Sequence, residues 1–244
     1  MTTQVEHLRP LLQKITIITG ASRGIGRAMA EAFAAAGSDL ALCARNTKSI
    51  HATELADRHG VRVLVAECDV RNATSVAEFF GAVDLRFGRV DVLINNAGIV
   101  GPSTPVADLA CDHWRDVIAT NLTGTFLCSR AALPLMHPGG VIVNNLSMSA
   151  KRVFPGQSAY AAAKHGALGF TRTLREELRE RRIRVLALLE GATDTDIWNQ
   201  FWPDAPRDRM MSPATIARAV LHAVTLPDNA AVEELVIGPI TGAL

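Results

Sequence analysis

The sequence holds a single tyrosine, Tyr160, and only four lysines, Lys14, Lys48, Lys151 and Lys164, in 244 residues. Close spacing between two such rare types is therefore informative. Cysteine is nearly as sparse: Cys43, Cys68, Cys111 and Cys128 form no C-x-x-C pair. That argues against a disulfide framework and a thiol redox motif, and leaves the four as small buried apolar residues. The seven histidines are scattered without ligand spacing, so no metal site is expected. A net charge of +1 supplies no field to attract nucleic acid or an anionic membrane. No apolar run approaches the ~18 residues of a membrane span, and Met1 to Gln13 is polar with no apolar leader core. A cytoplasmic protein is the default expectation. Linkers of low complexity, charge blocks and internal repeats are also missing.

What is present is alternation. Apolar content of 48% against 20% charged residues fits a packed globular chain. Short β-branched or Leu-rich runs at Ile15–Thr19, Leu40–Ala44, Val61–Glu67, Val90–Asn95, Val141–Leu146, Ile183–Leu189 and Glu234–Ile237 alternate with helical patterns. The runs are apolar on both faces, as strands of a parallel sheet covered on each side must be. Between two of them, Val76, Phe79, Phe80, Val83 and Phe87 mark one buried helical stripe. Right-handed crossovers then predict a doubly wound, seven-stranded parallel α/β sheet in three layers, with ligands at the carboxyl ends of the strands. One domain is expected over 1–244, residues 14–150 mainly binding a cofactor and 151–244 carrying a catalytic helix and a substrate lid.

The first strand runs into Gly20-Ala21-Ser22-Arg23-Gly24-Ile25-Gly26, and a helix follows. Glycines there permit a tight turn and let backbone N–H groups meet a pyrophosphate at the positive helix end. The same letters match the G-x-S-x-G elbow of hydrolases, but too few residues precede Gly20 to supply the strands that site needs. At the end of the second strand an NAD site normally places an acid for the ribose 2′-hydroxyl. Here Arg45 stands instead, with Arg23 in the loop, and two guanidiniums suit a 2′-phosphate. The expected cofactor is NADP(H). Asp69 and Val70, closing the third strand, fall beside the adenine, unless Asp69 merely caps the next helix.

Tyr160 and Lys164 stand four apart in an Ala-rich helical segment, and so share one face. A free phenol, with a pKa of ~10, shuttles protons poorly at neutral pH. An ammonium within ~4–6 Å is expected to lower that value by about 1–3 pH units, which suits general acid–base catalysis. Ser147, at the end of the fifth strand, is positioned to donate to a substrate oxygen, with Ser149 as competitor or pocket wall. Asn121 sits in a helix despite poor propensity, so either water binding beside Lys164 or a plain backbone bond accounts for it.

Together these residues resemble the short-chain dehydrogenase/reductase family in its compact single-domain form, over nearly the whole chain from Lys14 to about Pro239. The resemblance rests on Gly20, Gly24 and Gly26; on Asn95-Asn96-Ala97-Gly98; and on Asn121, Ser147, Tyr160 and Lys164. Ser147 precedes Tyr160 by thirteen residues, the family's spacing, which favours it over Ser149. It implies that Tyr160 protonates the substrate oxygen, Lys164 also binds the nicotinamide ribose, Ser147 orients the carbonyl and Asn121 completes a proton relay. Asn96, Ala97 and Gly98 would border the cofactor. After the sixth strand the family commonly reads P-G-x-V-x-T, whereas this chain has Glu190-Gly191-Ala192-Thr193-Asp194-Thr195. Gly191, Thr193 and Thr195 are expected at the cofactor, and Thr195 at its carboxamide or a phosphate. Glu190 in place of Pro loses a rigid turn and adds a charge near the nicotinamide. Homotetramers or homodimers are common in the family.

Trp198 and Trp202 lie in the aromatic stretch Ile197–Pro203, the expected lid, and Val153, Phe154 and Gln157 the opposite wall. The activity expected is reduction of a ketone or aldehyde, or the reverse oxidation of an alcohol, on a small-molecule substrate. The alternative is a nucleotide-binding regulator on the same scaffold.

Overall fold

Seven strands and seven α-helices alternate in the computed structural model, which describes residues 9–242 and Leu244. Residues 1–8 of the polar N-terminal segment lie outside the described residues. The strands are β1 (Ile15–Thr19), β2 (Asp39–Ala44), β3 (Val63–Glu67), β4 (Val90–Asn95), β5 (Met136–Asn145), β6 (Arg184–Glu190) and β7 (Glu234–Ile237). The helices are α1 (Gly24–Ala35), α2 (Ala52–His59), α3 (Ala73–Phe87), α4 (Cys111–Ile118), α5 (Gly124–Ala132), α6 (Ser158–Leu178) and α7 (Pro213–Val224). All pairings are parallel, in the order β3-β2-β1-β4-β5-β6-β7. This is the Rossmann-like doubly wound sheet.

Successive strand residues point to opposite faces, and the sequence uses that twice over. Ile18, Leu40, Leu42 and Ile94 join one core with Met29 and Phe33 of α1 and Ile216 and Val220 of α7. Their neighbours Ile17, Ala41, Cys43 and Leu93 join the other core with Phe79 and Phe80 of α3, Cys128 of α5 and Leu174 of α6. Val76, Phe79, Phe80 and Val83 are buried along α3 as the stripe requires, with Phe87 half-buried. Asn72 caps that helix by accepting from Thr74 N and Ser75 N at 2.9 and 3.1 Å.

Four expectations need correction. The edge strands β3 and β7 are only partly buried, because an edge has one neighbour and incomplete cover. β5 begins at Met136, not Val141: Met136 pairs with Val90 before the register shifts, and His137 to Gly139 are exposed. β6 lies one residue later than expected, which carries Glu190 into the sheet opposite Ile237. Cys43, Cys68 and Cys128 are buried, but Cys111 opens α4 and is exposed. Among the described residues no helix is long and apolar enough to cross a membrane, and no cluster of three His, Cys, Asp or Glu is arranged to hold a metal.

Candidate active site

The chain leaves β1 for β2 in one direction and enters β4 in the other, so the carboxyl ends of β1 and β4 open a crevice. A cleft of about 1050 Å³ lies there, lined by the glycine loop, Arg45, Asn96, Tyr160, Glu190 and Trp198 among others. Gly20 has φ of +65°, and a Cβ on it would stand 2.8 Å from Ala97 Cα. A Cβ on Gly26 would collide with the Gly20 carbonyl and the Asn96 amide. Only glycine fits either place. Ser22, Gly24 and Ile25 line the cleft, and Arg23 immediately precedes α1.

Arg23 and Arg45 are both exposed on the cleft, and among the described residues neither is in an ion pair. Asp69, by contrast, is occupied: Arg71 Nε donates to both its carboxylate oxygens at 3.0 Å. Those bonds hold its carboxyl below the usual range, with Arg45 adding a smaller pull. Since Asn72 caps α3, Asp69 is not that cap. Val70 is buried and lines the cleft.

α6 brings Tyr160 and Lys164 together, the ammonium 5.4 Å from the phenol ring centre. Lys164 Nζ donates to the Asn145 carbonyl at 2.9 Å, which fixes its direction. Ser147 Oγ accepts from Ser149 N at 3.1 Å, leaving its own O–H to donate into the cleft. Ser149 is buried and lines the same cleft. The expected lowering of the phenol is not what the structure shows. Burial drives Tyr160 well above the ordinary phenol range, the Glu190 charge pushes it further, and Ser147 pulls back only in part. Burial also lowers Lys164 to about 8, against the pull of Glu190. A desolvated ammonium is a weaker counter-charge than helix spacing alone implies.

Asn121 is buried in a π-helical turn, Ala119–Thr123, between α4 and α5. Its Nδ2 donates to the Ile99 and Val117 carbonyls at 2.9 Å each, and its Oδ1 accepts from Ile99 N at 3.2 Å. The side chain therefore ties the turn to the segment after β4, and both amide hydrogens are spent. Gly98 is needed beside it, since a Cβ there would lie 2.7 Å from Asn121 Oδ1. Asn96 is a brace as well as a wall. Its Nδ2 donates to Thr19 O and Gly20 O, its Oδ1 accepts from Asn145, and Thr19 Oγ1 accepts from Asn96 N and Ala97 N.

Sequence reasoning missed the polar network under the site. Asn95 Nδ2 donates to Asn144 Oδ1 at 2.8 Å, and Asn144 Nδ2 to Thr171 Oγ1 at 2.9 Å. Asn144 and Thr171 are wholly buried, so these bonds cross-link β4, β5 and α6 in the interior. The available signal was an Asn pair at the end of each of two strands, Asn95-Asn96 and Asn144-Asn145. Arg207 was also missed; it donates to Thr195 O at 2.7 Å and Asn199 Oδ1 at 2.6 Å, holding the lid segment.

Toward the lid, Gly191 packs against Gly238 and Pro239, where a Cβ would press. Thr193 is buried and donates to Gly191 O at 3.1 Å, and Thr195 lines the cleft above Gly24. Trp198 packs against Phe201 and Trp202 with the rings tilted, and its indole N–H donates to Thr193 O at 2.9 Å. Trp202, Phe154 and Gln157 line the same cleft, and Gln157 Nε2 is buried without a partner among the described residues. Val153 is 80% exposed and is not among the lining residues.

This arrangement defines an oxidoreductase of the nucleotide-fold class, and sequence comparison supplies the family. The model of the short chain dehydrogenase family matches residues 14–206. The chain belongs to the short-chain dehydrogenase/reductase family. It is 37% identical to a 3β-hydroxysteroid dehydrogenase of Mediterraneibacter gnavus over 187 residues, 76% of this chain and 68% of that protein. It is 36% identical to a 3-oxoacyl-[acyl-carrier-protein] reductase of Synechocystis over 191 residues, 77% of each chain. An alcohol dehydrogenase from the archaeon Thermococcus sibiricus, solved with 5-hydroxy-NADP, superposes with a TM-score of 0.87 at 34% identity, covering 95% of this chain and 98% of that one. A short chain dehydrogenase from Burkholderia cenocepacia, solved with NADP, superposes with a TM-score of 0.85 at 29% identity, covering 93% and 97%.

Proposed function

We propose that the protein is an NADP(H)-dependent carbonyl reductase or alcohol dehydrogenase with Tyr160 as general acid and base. The observation that carries this is the convergence of Tyr160, Lys164 and Ser147 on the cleft that also holds a glycine cradle and two unpaired guanidiniums. The residues fit a phosphorylated dinucleotide. Gly20, Gly24 and Gly26 let backbone N–H groups approach a pyrophosphate at the start of α1, and Arg23 and Arg45 suit a 2′-phosphate. Asp69, Val70, Asn96, Ala97 and Gly98 form the adenine and ribose wall, and Gly191, Thr193 and Thr195 the nicotinamide end. The bound cofactor supplies or accepts the hydride.

The chain's own groups handle the proton. Ser147 donates its O–H to the substrate oxygen and holds it beside Tyr160. Tyr160 Oη gives its proton to that oxygen in reduction and takes one from it in oxidation. Lys164 offsets the phenolate left behind, its Nζ anchored on Asn145 O. Asn121 keeps the π-turn in place behind them. Trp198, Trp202 and Phe154 form an apolar wall suited to a ring or a hydrocarbon chain, with Gln157 free to donate to a polar substituent. Relatives named for a hydroxysteroid and for a 3-oxoacyl thioester support that range of carbonyl substrates. The working form is a homodimer or homotetramer.

The test is a panel of ketones and aldehydes followed by NADPH absorbance. Tyr160→Phe is expected to lower turnover by about 10²–10⁴-fold, the usual worth of a positioned acid, while NADPH binding by fluorescence stays near the wild-type value. Turnover retained in Tyr160→Phe removes the acid–base reading. Binding lost together with turnover makes the tyrosine structural.

A further inference from the structure

One group in the cleft has no place in the chemistry just described. Glu190 is the last residue of β6, beside Gly191 and opposite Ile237, and it lines the same cleft as Tyr160 and Lys164. Its Oε2 is buried and finds no hydrogen-bond partner among the described residues. It makes no ion pair with Lys164, whose Nζ is turned to the Asn145 carbonyl. A buried carboxylate oxygen left without a partner is costly, and structures retain few of them. Tyr160 and Lys164 on α6 are ionisable groups lining the same cleft, and the Glu190 charge pushes the pKa of each upward. The neighbouring strands add none: β5 ends in Asn145 with Ser147 beyond, and β7 offers Ile237 followed by Gly238 and Pro239. Arg152 and Asp196 line the cleft as exposed residues, while Arg23, Arg45 and Asp69 line its phosphate-loop side.

We infer that Glu190 is a positioning residue of the reaction site, acting through Tyr160 and Lys164 by switching a negative charge on and off beside them. This rests on the reading of Tyr160 as the proton donor. Burial raises the Glu190 carboxyl to about 7, against the pull of Lys164, so the switch falls within the working range of pH. Below it Glu190 is neutral and the phenol is the stronger acid. Above it the carboxylate steadies the ammonium and makes Tyr160 a weaker acid and, once ionised, a stronger base. The device therefore favours carbonyl reduction on the acid side and alcohol oxidation on the alkaline side. No covalent step is added; one proton leaves Glu190 for solvent as pH rises and returns as it falls.

The experiment compares the wild type with Glu190→Gln, which keeps shape and loses charge, and with Glu190→Leu as a second neutral variant. The first readout needs no cofactor. Infrared spectra at about pH 6 are expected to show a protonated-carboxyl stretch that fades by about pH 8 in the wild type and is missing in both variants. The second is the pH profile of kcat for reduction. The wild type is expected to fall severalfold across pH 7 as the phenol becomes the weaker acid. The variants are expected to show no such fall over the same range, each profile being compared with that variant's own acid-side rate. A break near pH 7 that survives in the variants overturns the inference, as does a carboxyl band that no Glu190 substitution removes. Tyr160→Phe run in parallel separates the two readings. If it turns over normally, the acid–base assignment falls and Glu190 loses its route of action, whatever the infrared band shows.

Discussion

Arg45→Ala gives the most direct test of cofactor choice. Arg45 follows β2 at the rim of the cleft, and among the described residues no carboxylate is ion-paired with it. The nearby Asp69 is saturated by Arg71. The guanidinium is therefore free to meet a 2′-phosphate, and nothing inside the protein is orphaned when it is removed. A hydrogen bond to a charged group contributes about 1.5–3 kcal/mol, and exposure to solvent takes the expected loss toward the lower half, about 1–2 kcal/mol. That is roughly 5- to 30-fold in Kd for NADPH, since about 1.4 kcal/mol is tenfold. NADH has no 2′-phosphate, so its Kd is expected to move less than about twofold. Titration by nucleotide fluorescence at low and high salt measures both. The NADPH advantage should also shrink with salt in the wild type, because the Debye length is only ~10 Å at 0.1 M. Arg23→Ala with Arg45→Ala is expected to remove most of the remaining preference. Equal losses for the two nucleotides, or no loss for NADPH, refute the phosphate clamp.

Gly26→Ala forces a methyl against the Gly20 carbonyl and the Asn96 amide. It is expected to cost about 1–3 kcal/mol and weaken NADPH and NADH alike; an unchanged melting temperature with unchanged binding contradicts the close-packed loop. Asn144→Ala leaves Asn95 and Thr171 without their buried partner, at about 1–3 kcal/mol per orphaned group, or about 2–4 °C in Tm per kcal/mol. A neutral result would mean that water replaces the amide. Glu190 binds its proton more tightly in the folded chain, near 7, than at the ordinary carboxylate value of 4.5. Its contribution to stability is thus present in full below that ordinary value and lost as pH rises through 7. Glu190→Gln, which cannot ionise, is expected to gain on the wild type over that window, by on the order of 2 kcal/mol at pH 8. Parallel stability curves from pH 5 to about 8 in denaturant melts would contradict the burial of the charge.

What the sequence discloses well is whatever a local period or a local clash decides. Ile17 and Ile18 reach opposite cores because a strand alternates, and Gly20 and Gly26 are glycines because the turn leaves no room for a Cβ. Tyr160 and Lys164 are neighbours because four residues make about one helical turn. What stayed hidden depends on partners distant in the chain. The Asn95–Asn144 bond exists only in the observed β4–β5 register, where Asn95 faces Asn144. Asn121 reads as a poor helix former, and only the fold shows that its amide is committed to Ile99 and Val117. The direction of the Tyr160 shift belongs to the same group. Adjacency to an ammonium argues for a more acidic phenol, yet burial and a carboxylate arriving on β6 outweigh it. Placing β6 one residue early in the sequence puts Glu190 in the loop just past the strand, where its charge is already expected near the nicotinamide. The observed register makes it the end of the strand, with an oxygen unpartnered among the described residues, in the cleft that Tyr160 and Lys164 also line. A one-residue step in one strand thus decides whether this acid, expected near the nicotinamide in either case, hangs in a loop or ends the sheet at the wall of the cleft.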